Sequence, residues 1–154
     1  MGYTLARTER KYALINEGRP YPSRYDRTHD FSIVGNYKLN KKWAFSMSWV
    51  FNSGDAVTFP SGKYMIDGKT VSFYTERNGY RMPSYHRLDI GVTYYKKKRK
   101  RYQSSYNFSL YNAYGPKNAF MIYFRENEDN PEITEAVRAT LFTFYPSMTY
   151  NFTF

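Results

Sequence analysis

The sequence predicts an all-β chain: an antiparallel transmembrane β-barrel segment of about six strands, a partial barrel with long extracellular loops. Three observations predict it. Hydrophobic residues recur at every second position through several segments of about nine residues, which places them on one face of a strand. The other face of those segments is mainly Ser, Thr, Asn and Gly, where a soluble sheet would show water many Lys and Glu. Connections alternate between short and long, the asymmetry of barrels that cross a membrane.

The elements follow in order. An opening strand, Tyr3 to Arg10, sets Tyr3 and Leu5 against Thr4, Ala6 and Thr8. From residue 31 to 39, Phe31, Ile33, Gly35, Tyr37 and Leu39 alternate with Ser32, Val34, Asn36 and Lys38. Only Asn40-Lys41-Lys42 separates this run from the next, 43 to 51, so the two form a hairpin. In that run Trp43, Phe45, Met47, Trp49 and Phe51 oppose Ala44, Ser46, Ser48 and Val50. A second pair begins with Leu88, Ile90, Val92 and Tyr94 against Asp89, Gly91, Thr93 and Tyr95. After a turn at Lys96 to Arg101 it returns along 102 to 110, where Tyr106, Phe108 and Leu110 oppose Ser105, Asn107 and Ser109. The last run, Phe142 to Phe154, puts Phe144, Pro146, Met148, Tyr150, Phe152 and Phe154 against Tyr145, Ser147, Thr149, Asn151 and Thr153.

Composition narrows the alternatives. The chain has 154 residues, no cysteine, 18 Tyr, 12 Phe and a formal net charge of +10, with a mean hydropathy of −0.74. The absence of cysteine excludes a disulfide scaffold, a thiolate zinc site and a cysteine nucleophile. No stretch reaches the roughly 18 to 20 apolar residues of a spanning helix. Met1 to Arg7 shows no apolar run ending in a small-residue cleavage site, so no signal peptide is expected. A hydrophobic share of 42%, arranged periodically, is not the signature of disorder.

An alternating strand buries its apolar face in a sandwich core or in lipid. Small polar residues on the other face suit a crowded or wet interior, and the charges collect in turns. Aromatic residues flank both tight turns, Tyr37 and Trp43 at the first, Tyr94 and Tyr102 at the second, and these are read as an interface girdle. Segment lengths agree with the about 9 to 11 residues of a tilted membrane strand. Yet roughly eight strands are the smallest closed membrane barrel, and unpaired backbone in lipid is costly. A partial barrel resolves the deficit. The alternative is a complete eight-stranded barrel with a structural or adhesive role, its extra strands 63 to 66 and 70 to 74 turning at Asp67-Gly68. The charge of that hairpin favours an extracellular extension instead.

Chemistry-bearing residues are sparse. His29 and His86 each begin a strand beside charged neighbours and are expected to be hydrogen-bonded rim positions. The run Lys96 to Arg101 beside Tyr94, Tyr95 and Tyr102 has the make-up of a single-strand nucleic-acid site, which gives a second alternative, a soluble basic β-domain. It sits where the alternation demands a reversal, so it is read as a solvated turn with affinity for anionic headgroups, and no nucleic-acid partner is expected. Glu126, Glu128, Asp129, Glu132 and Glu135 lack EF-hand spacing and are read as a loop tip. No catalytic, cofactor-binding or metal-binding residue is assigned.

Several segments carry a family resemblance. They are Ile15 to Pro22, Arg24-Tyr25-Asp26-Arg27-Thr28-His29-Asp30, Trp49 to Thr58, Asn78 to Pro83 leading to Arg87-Leu88-Asp89-Ile90-Gly91-Val92, Tyr111 to Gly115, and Pro146 to Phe154. In this order they resemble the last barrel strands of TonB-dependent outer-membrane receptors, especially the SusC-like importers. The resemblance implies a bacterial outer-membrane location, a parent barrel of about 22 strands closed by an N-terminal plug, and nutrient import energised by TonB through that plug. It implies as partners the membrane lipid, the remaining strands and plug, and the barrel-assembly machinery. Phe154, with Tyr150 and Phe152, would belong to the terminal signal that this machinery reads. The plug, TonB-contacting segment and most of the barrel have no counterpart here, so residues 1–154 are expected to be a wall fragment, neither an enzyme nor transport-competent alone.

Overall fold

The computed structural model describes residues 1–97, 102–130 and 133–154; among them are strands, turns and one 3-10 turn, Asn16–Gly18, but no α-helix. In chain order the strands are β1 Gly2–Leu5, β2 Glu9–Arg10, β3 Tyr21–Pro22, β4 His29–Lys38, β5 Trp43–Asn52, β6 Ala56–Val57 and β7 Gly62–Ile66. They continue as β8 Lys69–Phe73, β9 Tyr80–Arg81, β10 Tyr85–Tyr95, β11 Gln103–Tyr111, β12 Met121–Glu126, β13 Thr134–Ala139 and β14 Tyr145–Thr153. Six of them form one sheet in the order β1-β4-β5-β10-β11-β14. The sheet does not close: β1 and β14 are its two edges.

Register explains why one face is apolar across strands distant in sequence. β10 and β11 pair antiparallel with Ile90 opposite Leu110, Val92 opposite Phe108 and Tyr94 opposite Tyr106. β11 pairs antiparallel with β14 so that Phe108 meets Met148 and Tyr106 meets Tyr150. Directly opposed residues share a face, so each apolar set extends the next. A one-residue slip would turn the whole set over.

The structure departs from the expected boundaries at three places. The opening strand, expected over Tyr3 to Arg10, stops at Leu5; the chain then changes partners, and Glu9 and Arg10 pair with Pro22 and Tyr21. The last strand begins at Tyr145, not Phe142, because its partner runs out: Tyr111 is opposite Tyr145, and Asn112 turns the chain away with φ 56°. The side chain of Asn112 is buried and donates to the Thr143 and Pro116 carbonyls, fixing that exit. The segment 113 to 135, read as a loop, holds half of a hairpin, since β12 pairs with β13 from Met121 opposite Ala139 to Glu126 opposite Thr134. The hairpin at Asp67-Gly68 forms as expected, β7 on β8, with φ of 48° and 73° at its two turn residues.

The chain divides into two compact units. One comprises residues 1–3, 31–51 and 85–154 and holds most of the large sheet with the β12–β13 hairpin. The other, residues 4–30 and 52–84, is a cluster of short pairings tied by polar side chains. There Asn78 donates to the Pro22 carbonyl at 2.9 Å, its backbone N–H donates to Thr58 at 2.9 Å, and Asn16 bonds both the N–H and the carbonyl of Arg77. Gly54 packs against the Met82 backbone so closely that a Cβ would fall 1.6 Å from the carbonyl oxygen.

No side chain fits at Gly54 without moving the backbone. Gly54→Ala is therefore expected to cost about 1–3 kcal/mol and to open the neighbouring bond from the Met82 N–H to the Asp55 carbonyl, 2.9 Å in length. Hydrogen exchange read residue by residue checks this. Protection should fall at Met82 while Phe108 in β11 keeps its own; unchanged protection at Met82 would contradict the packing described.

Candidate functional site

The surface of the large sheet is where the chain departs most from an ordinary globular domain. Among the described residues the buried hydrophobics are Tyr21 and Ala56, and neither belongs to that sheet. Its alternating apolar residues stay exposed instead: Phe45 by 43%, Ile90 by 43%, Phe108 by 47% and Met148 by 61%. Contiguous apolar surface on this scale marks a face that something else covers.

Ring-to-ring contacts gather toward the two ends of that face. At the turn end, Trp43 on β5 and Tyr94 on β10 lie 4.8 Å apart between ring centroids. Tyr106 on β11 lies 5.0 Å from Tyr150 on β14, which stacks on Phe152 at 6.1 Å, and Phe152 meets Phe154 edge-on at 5.4 Å. At the other end Tyr3, Phe31, Trp49 and Phe51 form a chain of ring contacts at 5.6–6.4 Å. Trp49 Nε1 donates to the Tyr114 hydroxyl at 3.1 Å, and Tyr114 stacks on His86 at 5.5 Å while sharing a 2.6 Å hydrogen bond with its Nδ1. Between the two bands lie Met47, Ile90, Val92 and Leu110 together with Phe45 and Phe108. Trp43 to Phe51 covers eight residue steps of β5, roughly 27 Å of strand; the apolar band of a transmembrane barrel is about 25 Å tall and crossed at a tilt.

Hydrogen bonds run across the opposite face. Asn107 donates to Thr93 at 2.8 Å and Ser109 meets Ser147 at 2.7 Å, each pair directly opposed in register. Near the long connections, Arg87 donates to Asp89 at 3.0 Å and to the hydroxyls of Tyr85 and Tyr111 at 3.0 and 2.9 Å, with its guanidinium 4.3 Å from the Tyr111 ring. Polar groups on this face pair with one another across the strands, although Val34 and Tyr145 stand exposed on it too.

Of the residues singled out from sequence, Trp43 with Tyr94 and Tyr150 with Phe152 and Phe154 are brought together. Tyr37 is 64% exposed near the turn end of β4, and Tyr102 stands just before β11. Sequence reading missed Tyr106 in the first band and the second band altogether, although Phe31, Trp49 and Phe51 carried its signal in the same alternation. At the turn, Lys96 donates to the Tyr106 hydroxyl at 3.1 Å and lies 4.7 Å from that ring and 6.0 Å from the Tyr150 ring. The hydrogen bond to Tyr106 raises its pKa above the ordinary lysine value, against a smaller opposing effect of burial. Lys98, Arg99, Lys100 and Arg101 of the basic run lie outside the described residues, as do Pro131 and Glu132 of the acidic one.

The histidines fall in different units, His29 in the loop cluster and His86 on the sheet. The His29 N–H donates to Ser53 Oγ at 3.0 Å. In the acidic segment Arg125 pairs with Glu128 and Glu135 at 3.3 Å, and Asn127 Oδ1 accepts the N–H groups of Asp129 and Asn130 at 2.9 Å, which makes it a closed turn. Among the described residues no three His, Cys, Asp or Glu side chains are grouped to hold a metal ion. No family model, curated protein or solved structure matches the chain.

The strongest electrostatic feature lies in the loop cluster and was not anticipated. Asp26 is 1% exposed, accepts the Thr8 N–H and is ion-paired to Arg81, whose guanidinium also donates to the Asp26 and Gly54 carbonyls. Burial alone would raise the Asp26 pKa; the bonds from Arg81 and Thr8, with the arginine charge, outweigh it and hold the value below the ordinary 3.8. A lowered folded pKa means stability that is complete above the unfolded value and lost as pH falls through the folded one. Acid titration below about pH 4 should therefore loosen residues 4–30 and 52–84. Asp26→Asn should remove that acid dependence and cost on the order of 1–3 kcal/mol at neutral pH. Limited proteolysis across the titration checks both; identical acid profiles for the two proteins would contradict the assignment.

Proposed function

We propose that this chain is a membrane-facing wall segment of a larger outer-membrane β-barrel, the last strands of a TonB-dependent receptor of the SusC-like kind. The observation that carries the reading is the exposed apolar face of the six-stranded sheet, edged by an aromatic band at each end and backed by a face of hydrogen-bonded Ser, Thr and Asn. Lipid suits the first surface and a wet lumen the second. The open edges β1 and β14 support the partial-barrel part of the proposal, since in lipid each would need a neighbouring strand.

In this role the chain catalyses nothing. The loop cluster and the β12–β13 hairpin belong to the extracellular mouth, the two tight turns to the periplasmic side, and Tyr150, Phe152 and Phe154 to the signal for barrel assembly. TonB acts through a plug that other parts of the receptor supply, and import is a property of the assembled receptor. A complete eight-stranded barrel has less support, because β7 and β8 pair with each other in a separate two-stranded sheet.

The two tryptophans test the reading, since Trp43 and Trp49 lie on the same face in opposite bands. With the full chain refolded into phosphatidylcholine vesicles, Trp43→Phe and Trp49→Phe each leave one reporter. Lipids brominated near the headgroup should quench both, and lipids brominated near the chain end should quench both less. Emission insensitive to every brominated lipid would overturn the proposal.

A further inference from the structure

Residues 78–79 are the one Asn-Gly pair in the sequence. They lie in the turn that leads into β9, with Asn78 half-buried and Gly79 exposed. In such a pair the main-chain nitrogen of the glycine, unshielded by any Cβ, can attack the side-chain carbonyl carbon of the asparagine. The new N–Cγ bond closes a five-membered succinimide as the Cγ–Nδ2 bond breaks, and the proton of the glycine N–H leaves with Nδ2 as ammonia. Water then opens the ring at either carbonyl. One opening gives aspartate; the other gives isoaspartate, whose main chain runs through the former side chain and is one carbon longer.

The fold holds this pair away from the reaction. Asn78 sits in the left-handed region at φ 55°, which asparagine tolerates, and its side-chain amide is tied at both ends. Its Nδ2 donates to the Pro22 carbonyl at 2.9 Å, and its Oδ1 accepts the Thr58 hydroxyl at 3.2 Å. Thr58 Oγ1 in turn accepts the Asn78 N–H at 2.9 Å. One residue earlier, Asn16 holds the N–H and the carbonyl of Arg77 at 2.8 and 3.1 Å. Ring closure turns Cγ toward the Gly79 nitrogen and expels Nδ2, so the clamp on both amide atoms opposes it. Directly after Gly79, β9 pairs with β6 through Val57 opposite Tyr80 and Ala56 opposite Arg81, and Arg81 is the partner of the buried Asp26. The turn is thus pinned on both sides.

We infer that Asn78-Gly79 is a deamidation site gated by the loop cluster: the closed cluster protects the amide, an open one lets the reaction run, and the product does not close again. Aspartate at 78 has no donor for the Pro22 carbonyl and sets a carboxylate oxygen against it. Isoaspartate adds a main-chain carbon just before the β6–β9 pairing. An opening that goes on to reaction is therefore recorded covalently. The inference concerns residues 4–30 and 52–84 and does not rest on the membrane-facing reading.

The test incubates the full chain, folded in detergent, at neutral pH in heavy-oxygen water, so that product formed before digestion carries the label. Pepsin then cuts the chain in acid, where the reaction stalls, and mass spectrometry reads conversion at Asn78; the same chain unfolded in guanidinium is the open reference. Conversion in the folded chain should be slower by roughly thirtyfold or more. Asp26→Asn weakens the pair with Arg81, and Thr58→Val removes the clamp on Oδ1 while leaving that pair in place. Each should speed conversion in the folded chain by roughly fivefold and leave it unchanged in guanidinium. Asn78→Asp should make residues 4–30 and 52–84 more open to protease than they are in the unaltered chain. Equal conversion in the folded and unfolded chains overturns the gate, as does a folded-state rate that neither Asp26→Asn nor Thr58→Val raises. An Asn78→Asp chain as resistant to protease as the unaltered one overturns the claim that the product stays open.

Discussion

The rest of the structure depends on one constraint, that the apolar face of the six-stranded sheet must be taken out of water by something other than this chain's own core. At roughly 25 cal/mol for each Å² of apolar surface, half-exposed Phe, Ile, Met and Tyr side chains across five strands represent a large unfavourable term in buffer. The sequence has not softened this with lysines and glutamates along the strands. It has placed Trp and Tyr rings toward both ends of the face and wholly apolar side chains, aliphatic ones with Phe45 and Phe108, between them, so the same term turns favourable in a medium that is apolar in the middle and polar at its borders.

The two faces divide the chemistry between them. On one, register aligns Tyr94 with Tyr106 and Tyr106 with Tyr150, so that a ring on each strand prolongs a band begun on its neighbour. On the other, Thr93 meets Asn107 and Ser109 meets Ser147, so polar groups are satisfied within the sheet. The loop cluster solves a different problem, holding irregular backbone in place without an apolar core. It uses a buried carboxylate, an arginine that bonds three acceptors around it, and asparagines that bridge main-chain groups. Removing one partner of such a contact would leave the other, the buried Asp26 carboxylate above all, without its compensating charge.

Much of the sheet was legible because period-two alternation is a local signal. The long strands β4, β5, β10, β11 and β14 lie within three residues of their expected ends, and Asp67-Gly68 announced its turn through the backbone geometry that the pair favours. What escaped notice depends on partners. The chain from Tyr3 to Arg10 is extended throughout, and nothing in its residues says that pairing passes from one strand to another after Leu5. Phe142 and Phe144 continue the alternation of β14, but the strand they would need ends at Asn112. The Asp26–Arg81 pair joins residues 55 positions apart, and Gly54 against Met82 is a close approach that no spacing encodes. The second aromatic band was visible one strand at a time; only the ring contacts from strand to strand show it to be a band.

Sedimentation velocity combined with far-ultraviolet circular dichroism, on the purified full chain in detergent-free buffer, addresses the central claim most directly. The proposed membrane-facing, partial-barrel reading predicts a polydisperse, associating species whose native β-sheet signal is reached only on adding detergent or lipid. A monodisperse monomer with full β-sheet signal in plain buffer would contradict the account.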